Sequence, residues 1–378
     1  MKHEQLTLLH YTIPFRKPFR TAAGDIVERK GFLIGDGHGI WSETAPLPGF
    51  STESYDDAKS FLVEHGQSIR SAFRDRSLDR FLEDDRLKPE LSRLPSVRFG
   101  LSMLSEQQKA IAARQPLYTY WKNLLFPKPS RNRVVPVEGY VRCNALAGVM
   151  DDEKRHQVIR FRKECGFRTV KLKVPADPDE ALEMIRNTCR TYPDLVFRFD
   201  ANKSFTIDQA LKLFGGLQSI WEKEELPRNI AYIEEPLADP SPEALSQLRS
   251  YGFPLALDES VRTPEDIRLL ESHASVTQLV IKPMLFGTFA ELQAPLRSKL
   301  AVAISSTFET AIGRRLLAHL AAVSNVKRET DHGLDTGSQL QVDFPPRESG
   351  PHIHLGENAG LGLQPDIRKK WLAPVKDF

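Results

Sequence analysis

The chain has 378 residues, 40% hydrophobic and 27% charged, the usage of a packed globular protein long enough for a barrel and a modest second domain. Its 52 basic and 50 acidic residues are interspersed and leave a net charge of +2, which argues against nucleic acid or a membrane as partner and leaves a small anionic substrate open. Cys143, Cys165 and Cys189 form no C-x-x-C pair or full disulfide set, no run approaches the roughly 18 apolar residues of a membrane span, and MKHEQLTLLH carries no cleavage-site pattern, so a reduced, cytoplasmic protein is expected.

Residues 1–133 read as an α+β segment. LTLLHYTIPF and GFLIGDGHGIWSETAPLP have strand and turn character, whereas SYDDAKSFLVEHGQSIRSAF and PSVRFGLSMLSEQQKAIAA have the apolar spacing of helices. The basic, proline-containing stretch FPKPSRNRVVP has turn chemistry and little core content, which puts a domain boundary there.

From Val137 the rhythm becomes strand then helix. VEGYVRCNAL reads as a first strand, followed by a helix with Asp151 near its start and Gly166 as its stop. TVKLKV, LVFRFD, AYIEEP, PLALDE, TQLVIKP and LAVAISS follow as strands two to seven, and HGLDTG is the last candidate for a strand end. This predicts a (β/α) barrel over 134–340, with a glycine-rich tail over 341–378 returning to pack on the N-terminal domain. His352 and His354 have a metal-ligand spacing, but no matching Cys or His lies nearby in sequence, so a site there is a weak expectation.

Nearly every predicted strand ends on a charge: Lys171 and Lys173, Asp200, Glu234, Asp258 and Lys282. Successive positions from Lys173 onward lie 27, 34, 24 and 24 residues apart, the length of one strand, one helix and two loops. Each charge therefore falls at the C-terminal end of a successive parallel strand, on the rim where a barrel keeps its active site. A lone K-x-K or a lone strand-end Asp is usually a solvated alternation or a helix cap; the aligned set is not explained that way.

Lys171 and Lys173 project to one face, and two ammonium groups in a confined space would lower each other's pKa, making a usable general base. Asp200, Glu234 and Asp258 can converge on one hard cation, Mg²⁺ with Mn²⁺ able to substitute. In the doublets Glu234-Glu235 and Asp258-Glu259 alternation sends only one member to the metal, the other supporting it from behind. Lys282 stands across the ring from the second strand. Arg198 shares the face of Asp200 and could bind an anionic group or pair with a carboxylate.

The ordered set K-x-K, D-A-N, E-E-P, D-E-S, I-K-P resembles the enolase superfamily, in the muconate lactonizing enzyme-like branch with lysines on both barrel faces. The resemblance implies a modified TIM (β/α)7β barrel with an N-terminal α+β capping domain. It implies Lys173 as base and later acid, Lys171 as its electrostatic partner, Mg²⁺ on Asp200, Glu234 and Asp258, and Lys282 stabilising an enediolate from the opposite face. The arginine of FRFDAN, the ISSTFET segment and HGLDTG are similar to those of the dehydratases of menaquinone biosynthesis in that branch. That likeness implies a lyase, with Arg198 in its site, Asn202 of the same motif as a substrate-binding residue, and Ser305, Ser306, Gly333 and Leu334 in the segments that hold the substrate's succinyl carboxylate. Capping loops around Thr21–Ile26 and Pro48–Ser54 are expected to cover it. The competing implication is an N-succinylamino acid racemase or dipeptide epimerase using Lys173 and Lys282 as two bases; a noncatalytic barrel would require a lost base or ligand, and none is missing.

Overall fold

The computed structural model describes residues 6–21, 24–127, 139–148, 151–224, 227–271, 276–344, 349–362, 371–376 and 378. Strands β1 (Thr7–Thr21), β2 (Gly24–Gly35) and β3 (Trp41–Thr44) form an antiparallel sheet, joined beside β1 by the C-terminal strand Leu372–Pro374. Strand periodicity gives this sheet two apolar faces. Leu8, Phe32 and Ile34 pack with Phe61, Ile69, Phe73 and Leu101 of the small domain's helices, whereas Tyr11, Ile13, Leu33 and Trp41 join the cluster that runs into the barrel. The small domain is thus bound to the barrel through the opposite face of its own sheet.

Beyond β4 (Tyr140–Arg142), the strands β5 (Ala145–Ala147), β6 (Thr169–Lys173), β7 (Val196–Asp200), β8 (Ile230–Glu234), β9 (Leu255–Leu257), β10 (Val276–Ile281) and β11 (Ala301–Ile304) form one parallel sheet in chain order. Helices Asp152–Glu164, Pro178–Thr191, Ile207–Glu224, Pro242–Arg249, Pro264–Glu271, Phe289–Arg297 and Ala311–Ser324 occupy the connections. Local chemistry sets their starts: Asp151, Asp177 and Ser241 accept backbone N–H bonds as N-caps, and Gly166 takes φ +91° just past the first of these helices.

The curled sheet is closed by a two-residue seam instead of a full eighth strand. His332 N–H donates to Arg142 O at 2.8 Å and Asn144 N–H to His332 O at 2.9 Å, while Gly333 N–H donates to Ile304 O at 2.9 Å and Ser306 N–H to Gly333 O at 3.0 Å. The predicted single strand VEGYVRCNAL is corrected here. Its Tyr140–Arg142 part pairs antiparallel with β12 (His352–His354), and only the part around β5 enters the barrel sheet. The tail accordingly divides, β12 lying on β4 and β13 (Leu372–Pro374) on β1, with Leu117 N–H bonded to Gly360 O. Val137, most of the expected boundary stretch and part of the Thr21–Ile26 loop lie outside the described residues. No described helix is long and apolar enough to cross a membrane.

His332 holds the seam with its side chain as well. Its Nδ1 accepts the Ile304 N–H at 3.0 Å, so the ring proton sits on Nε2, which faces Asn325 Oδ1 at 3.3 Å. Burial first, then Arg198, push its pKa down to about 3. A histidine whose folded pKa is depressed contributes stability that is present above its unfolded pKa of about 6.5 and is lost as pH falls below it. His332→Asn keeps an acceptor near the Ile304 N–H but cannot titrate. The pH dependence of unfolding free energy between about pH 6 and 5, measured by urea melts, should therefore weaken by about one proton relative to the parent; an identical slope would exclude His332 as the titrating group.

Candidate active site

Counting by twos along the barrel strands separates two environments. Leu172, Phe197, Phe199, Ile233, Leu257 and Ile281 face the helices and belong to the main core, whereas Tyr232, Ala256, Val280 and Ala303 form a small cluster inside the barrel. Lys171, Lys173, Arg198, Asp200, Glu234, Asp258 and Lys282 share the inward parity. In register Lys171 lies beside Arg198 and Arg198 beside Tyr232; one step nearer the C-terminal rim, Lys173 lies beside Asp200 and Asp200 beside Glu234.

The structure brings the predicted acids and lysines together. Lys171 Nζ lies 2.8 Å from Asp200 Oδ2 and 2.8 Å from Glu234 Oε1, and Lys282 Nζ bonds Asp258 Oδ2. Burial drives the Glu234 carboxyl well above its ordinary range; Lys171 pulls it back, and Asp200 and Asp258 push it further. Burial also opposes charge on Lys171 and Lys282, but Asp200 and Glu234 outweigh it at the first and Asp258 and Glu259 at the second, so both are held above the usual range. The expected lowering of Lys171 by its lysine neighbour is therefore corrected, because the carboxylates beside it dominate; at Lys282 the lowering by Lys171 is likewise outweighed by Asp258 and Glu259. Lys173 differs. It is half-buried and has no hydrogen-bond or ion-pair partner among the described residues.

The doublets divide labour through backbone geometry. Glu235 adopts φ +43°, and its carboxylate accepts the Asp258 N–H at 2.8 Å, the Ser260 N–H at 2.7 Å and the Ser260 hydroxyl at 2.8 Å. It thereby fixes the turn that presents Asp258. Asn202, at φ +45°, donates its backbone N–H to Asp200 Oδ1 at 3.0 Å while its side chain is exposed.

Arg198 lies one layer below the acids. It donates from Nη1 to Asn144 Oδ1 at 2.8 Å and from Nη2 to Thr330 Oγ1 at 3.0 Å and Asp331 O at 2.6 Å, with Tyr232's ring 5.0 Å away. These bonds tie β7 across the interior to the seam. Sequence reasoning missed Asn144, Thr330 and Tyr232; the inward parity of Tyr232 with Glu234 was the one signal available for them.

The expected substrate-binding residues separate by parity. Ser305 continues the inward series of Ala303, and a side chain on Gly333 would meet Ser305 Oγ at 2.7 Å, so the glycine keeps that hydroxyl clear. Ser306 points the other way: its hydroxyl donates to Glu309 Oε2 at 2.5 Å, meets Thr336 Oγ1 at 2.7 Å and accepts the Phe308 N–H at 2.9 Å. Leu334 is fully buried in the main core. Neither serine caps the next helix, since Thr310 occupies the cap position of Ala311–Ser324. From the small domain, Phe50 brings its ring to 5.8 Å from Lys282 Nζ, and Phe15 and Phe19 pack on Phe308.

The donor set suits a divalent cation: three buried carboxylates on consecutive strand ends, with Glu234 Oε2 lacking a partner among the described residues. No three His, Cys, Asp or Glu side chains among the described residues already surround one point as ligands would, the Lys171 and Lys282 ammonium groups bonding the same acids.

The family described as Enolase C-terminal domain-like matches residues 153–370. The chain belongs to the enolase superfamily. The family described as MenC, N-terminal domain, matches residues 3–108. Among curated relatives, the o-succinylbenzoate synthase of Escherichia coli O7:K1 (strain IAI39 / ExPEC) is 28% identical over 83% of this chain and 84% of its own. That of Photorhabdus laumondii subsp. laumondii is 28% identical over 91% of this chain and 94% of its own. Among solved structures, the L-Ala-D/L-Glu epimerase from Bacillus subtilis aligns with TM-score 0.76 and 20% identity, covering 97% of this chain and 100% of that one. The dipeptide epimerase from Enterococcus faecalis V583, complexed with Mg and a dipeptide, aligns with TM-score 0.74 and 20% identity over 96% of this chain and 99% of that one. This superfamily member therefore shares a capped barrel with both epimerases.

The raised Glu234 yields a prediction about stability. A carboxylate whose folded pKa lies above its unfolded value costs stability once pH rises past the unfolded value, so at neutral pH the metal-free protein carries that cost. Glu234→Gln should raise the melting temperature of chelator-treated protein by a few degrees, of order 1 kcal/mol, and abolish the stabilisation that Mg²⁺ gives the parent. A Glu234→Gln protein that Mg²⁺ still stabilises normally would remove Glu234 from the ligand set.

Proposed function

We propose that the protein catalyses the o-succinylbenzoate synthase reaction, the syn dehydration of 2-succinyl-6-hydroxy-2,4-cyclohexadiene-1-carboxylate to 2-succinylbenzoate in menaquinone biosynthesis. The observation that carries this reading is Lys173, beside Asp200 and with no ion-pair partner among the described residues, in a ring where Lys171 and Lys282 are ion-paired. The full-length relatives named for that reaction supply the substrate.

Asp200, Glu234 and Asp258 would hold Mg²⁺, or Mn²⁺ in its place, which when bound supplies positive charge beside the substrate carboxylate. Lys173 removes the proton α to that carboxylate, and the C–H electron pair moves into the carboxyl group to give an enediolate. The Lys282 ammonium, kept protonated by Asp258, stabilises the developing negative charge from the far side of the ring. Lys171 holds Asp200 and Glu234 in place. Lys173 then returns its proton to the departing hydroxyl; water leaves as the C–O bond breaks, and the ring becomes aromatic. One lysine acting twice on one face makes the elimination syn.

The racemase or epimerase alternative requires Lys282 as a second base. Its bond to Asp258 and its upward shift favour the cation role. Asp335, in the HGLDTG segment, is already committed, accepting from Arg162 Nη1 at 2.9 Å and from the Gly350 N–H at 2.8 Å.

Incubation with Mg²⁺ and the cyclohexadiene carboxylate should give 2-succinylbenzoate, and turnover of N-succinylamino acids alone would favour the racemase. Lys173→Ala should lower dehydration by about 10²–10⁴-fold and stop exchange of the α-proton with D₂O, followed by NMR. Near-native exchange in that variant would show the base to lie elsewhere. Activity should also vanish on chelation and return with Mg²⁺.

A further inference from the structure

Helix Ala311–Ser324 starts directly after the rim loop Ser305–Thr310, and all of its residues are buried. The free N–H groups of a first turn need acceptors, yet the side chain of Thr310 makes no capping bond. Asp343 accepts the Ala311 N–H at 2.7 Å, and the acceptor for Thr310 and Gly313 comes from the other domain. Glu43 of β3, fully buried, accepts the Thr310 N–H at 3.1 Å, the Thr310 hydroxyl at 2.5 Å, the Gly313 N–H at 3.0 Å and the Tyr11 hydroxyl at 2.5 Å. A side chain on Gly313 would meet Glu43 Oε2 at 2.6 Å, so only glycine lets this carboxylate approach.

The loop between that anchor and Ser305 has little freedom of its own. Glu309 accepts the Thr307 N–H at 2.7 Å together with the hydroxyls of Ser306 and Thr307, each at 2.5 Å. Phe308, at φ +63°, sets its ring against Phe15 and Phe19 of β1 at centroid distances of 5.2 and 4.6 Å. The segment is thus a rigid turn hung from the small domain at one end and from β11 at the other.

We propose that Glu43 is a positioning residue for the substrate: by bonding the start of this helix from the capping domain, it sets where Ser305 and the adjoining backbone stand at the barrel mouth. This rests on reading the Ser305 loop as part of the substrate site. Four donors converge on the carboxylate, and an amide in its place would turn an N–H₂ group toward donors. Glu43→Gln should therefore release the loop without disturbing Asp200, Glu234 or Asp258.

The test pairs hydrogen exchange with kinetics on the full chain. In Glu43→Gln, amide exchange over residues 305–310 should accelerate roughly tenfold, while β7 and β9 exchange as in the parent. KM for the cyclohexadiene carboxylate should rise roughly tenfold, the loss of about one charge-assisted bond, with a much smaller change in kcat and the same Mg²⁺ half-saturation. A merely structural role would lower the active fraction and leave KM alone. Parent-like exchange at 305–310, or faster exchange with unchanged KM, overturns the proposal. Should Glu43→Gln fail to fold, Tyr11→Phe removes one donor at nearly constant volume, and a smaller shift in both readouts is expected from it. Absence of turnover by the unmutated protein would sink the proposed function, and the exchange comparison would still decide whether Glu43 holds the loop.

Discussion

Three carboxylates on adjacent strand ends in a nearly dry barrel mouth repel one another, and the other charged groups of the rim are arranged around that repulsion. Two unit charges about 4 Å apart interact by about 4 kcal/mol at an effective dielectric of 20, comparable to much of a domain's net stability. Lys171 sits between Asp200 and Glu234, and Lys282 sits on Asp258. The compensation is incomplete: Glu234 is shifted upward, and its Oε2 lacks a partner among the described residues. What remains uncompensated is the free energy that a divalent cation would recover on binding. Lys171 and Lys282 are both committed to acids, and Lys173 is the lysine of the rim whose ammonium has no partner among the described residues.

Groups that repel one another cannot find a converging geometry unaided, so the backbone must impose it. Glu235 is the clearest case. Strict alternation would turn it outward into the apolar layer with Ile233, where an unpaired carboxylate is costly. At φ +43° it instead gathers the N–H groups and hydroxyl of the next strand's turn. The acid beside Glu234 on one strand thus becomes the holder of Asp258 on the next. Arg198 acts similarly a layer below, spanning from β7 to both sides of the seam where ladder bonds are few.

The barrel was legible because each strand carries one charge where its neighbours are apolar, and parity turns those charges inward; strands two to seven follow directly. The seam was legible as a place, in HGLDTG, but not as a two-residue bridge, since His332 and Gly333 contribute four backbone bonds and no apolar run. The first strand misled because Tyr140–Arg142 and Ala145–Ala147 are equally strand-like, and only a partner more than 200 residues away, His352–His354, separates them. The lysines could be read from sequence but not the direction of their shifts, which depends on a few ångströms of proximity to acids. Ser306 could have been set apart from Ser305 by counting twos from Ala303. The cap of Ala311–Ser324 could not, because its acceptor, Glu43, lies 267 residues from Thr310.

The two domains contribute different physics to one cleft. The barrel rim supplies charge, while the small domain supplies aromatic surface through Phe15, Phe19 and Phe50. Apolar surface beside charged groups lowers the local dielectric, which strengthens ion pairs and also raises the cost of any carboxylate left unmatched. A cap that merely lay over the barrel would let both effects fluctuate. The fully buried helix Ala311–Ser324 prevents this, since it is packed by both domains and its first turn is bonded by an acid from the cap. The position of the small domain's aromatic surface and that of the Ser305 loop are therefore set by the same contact.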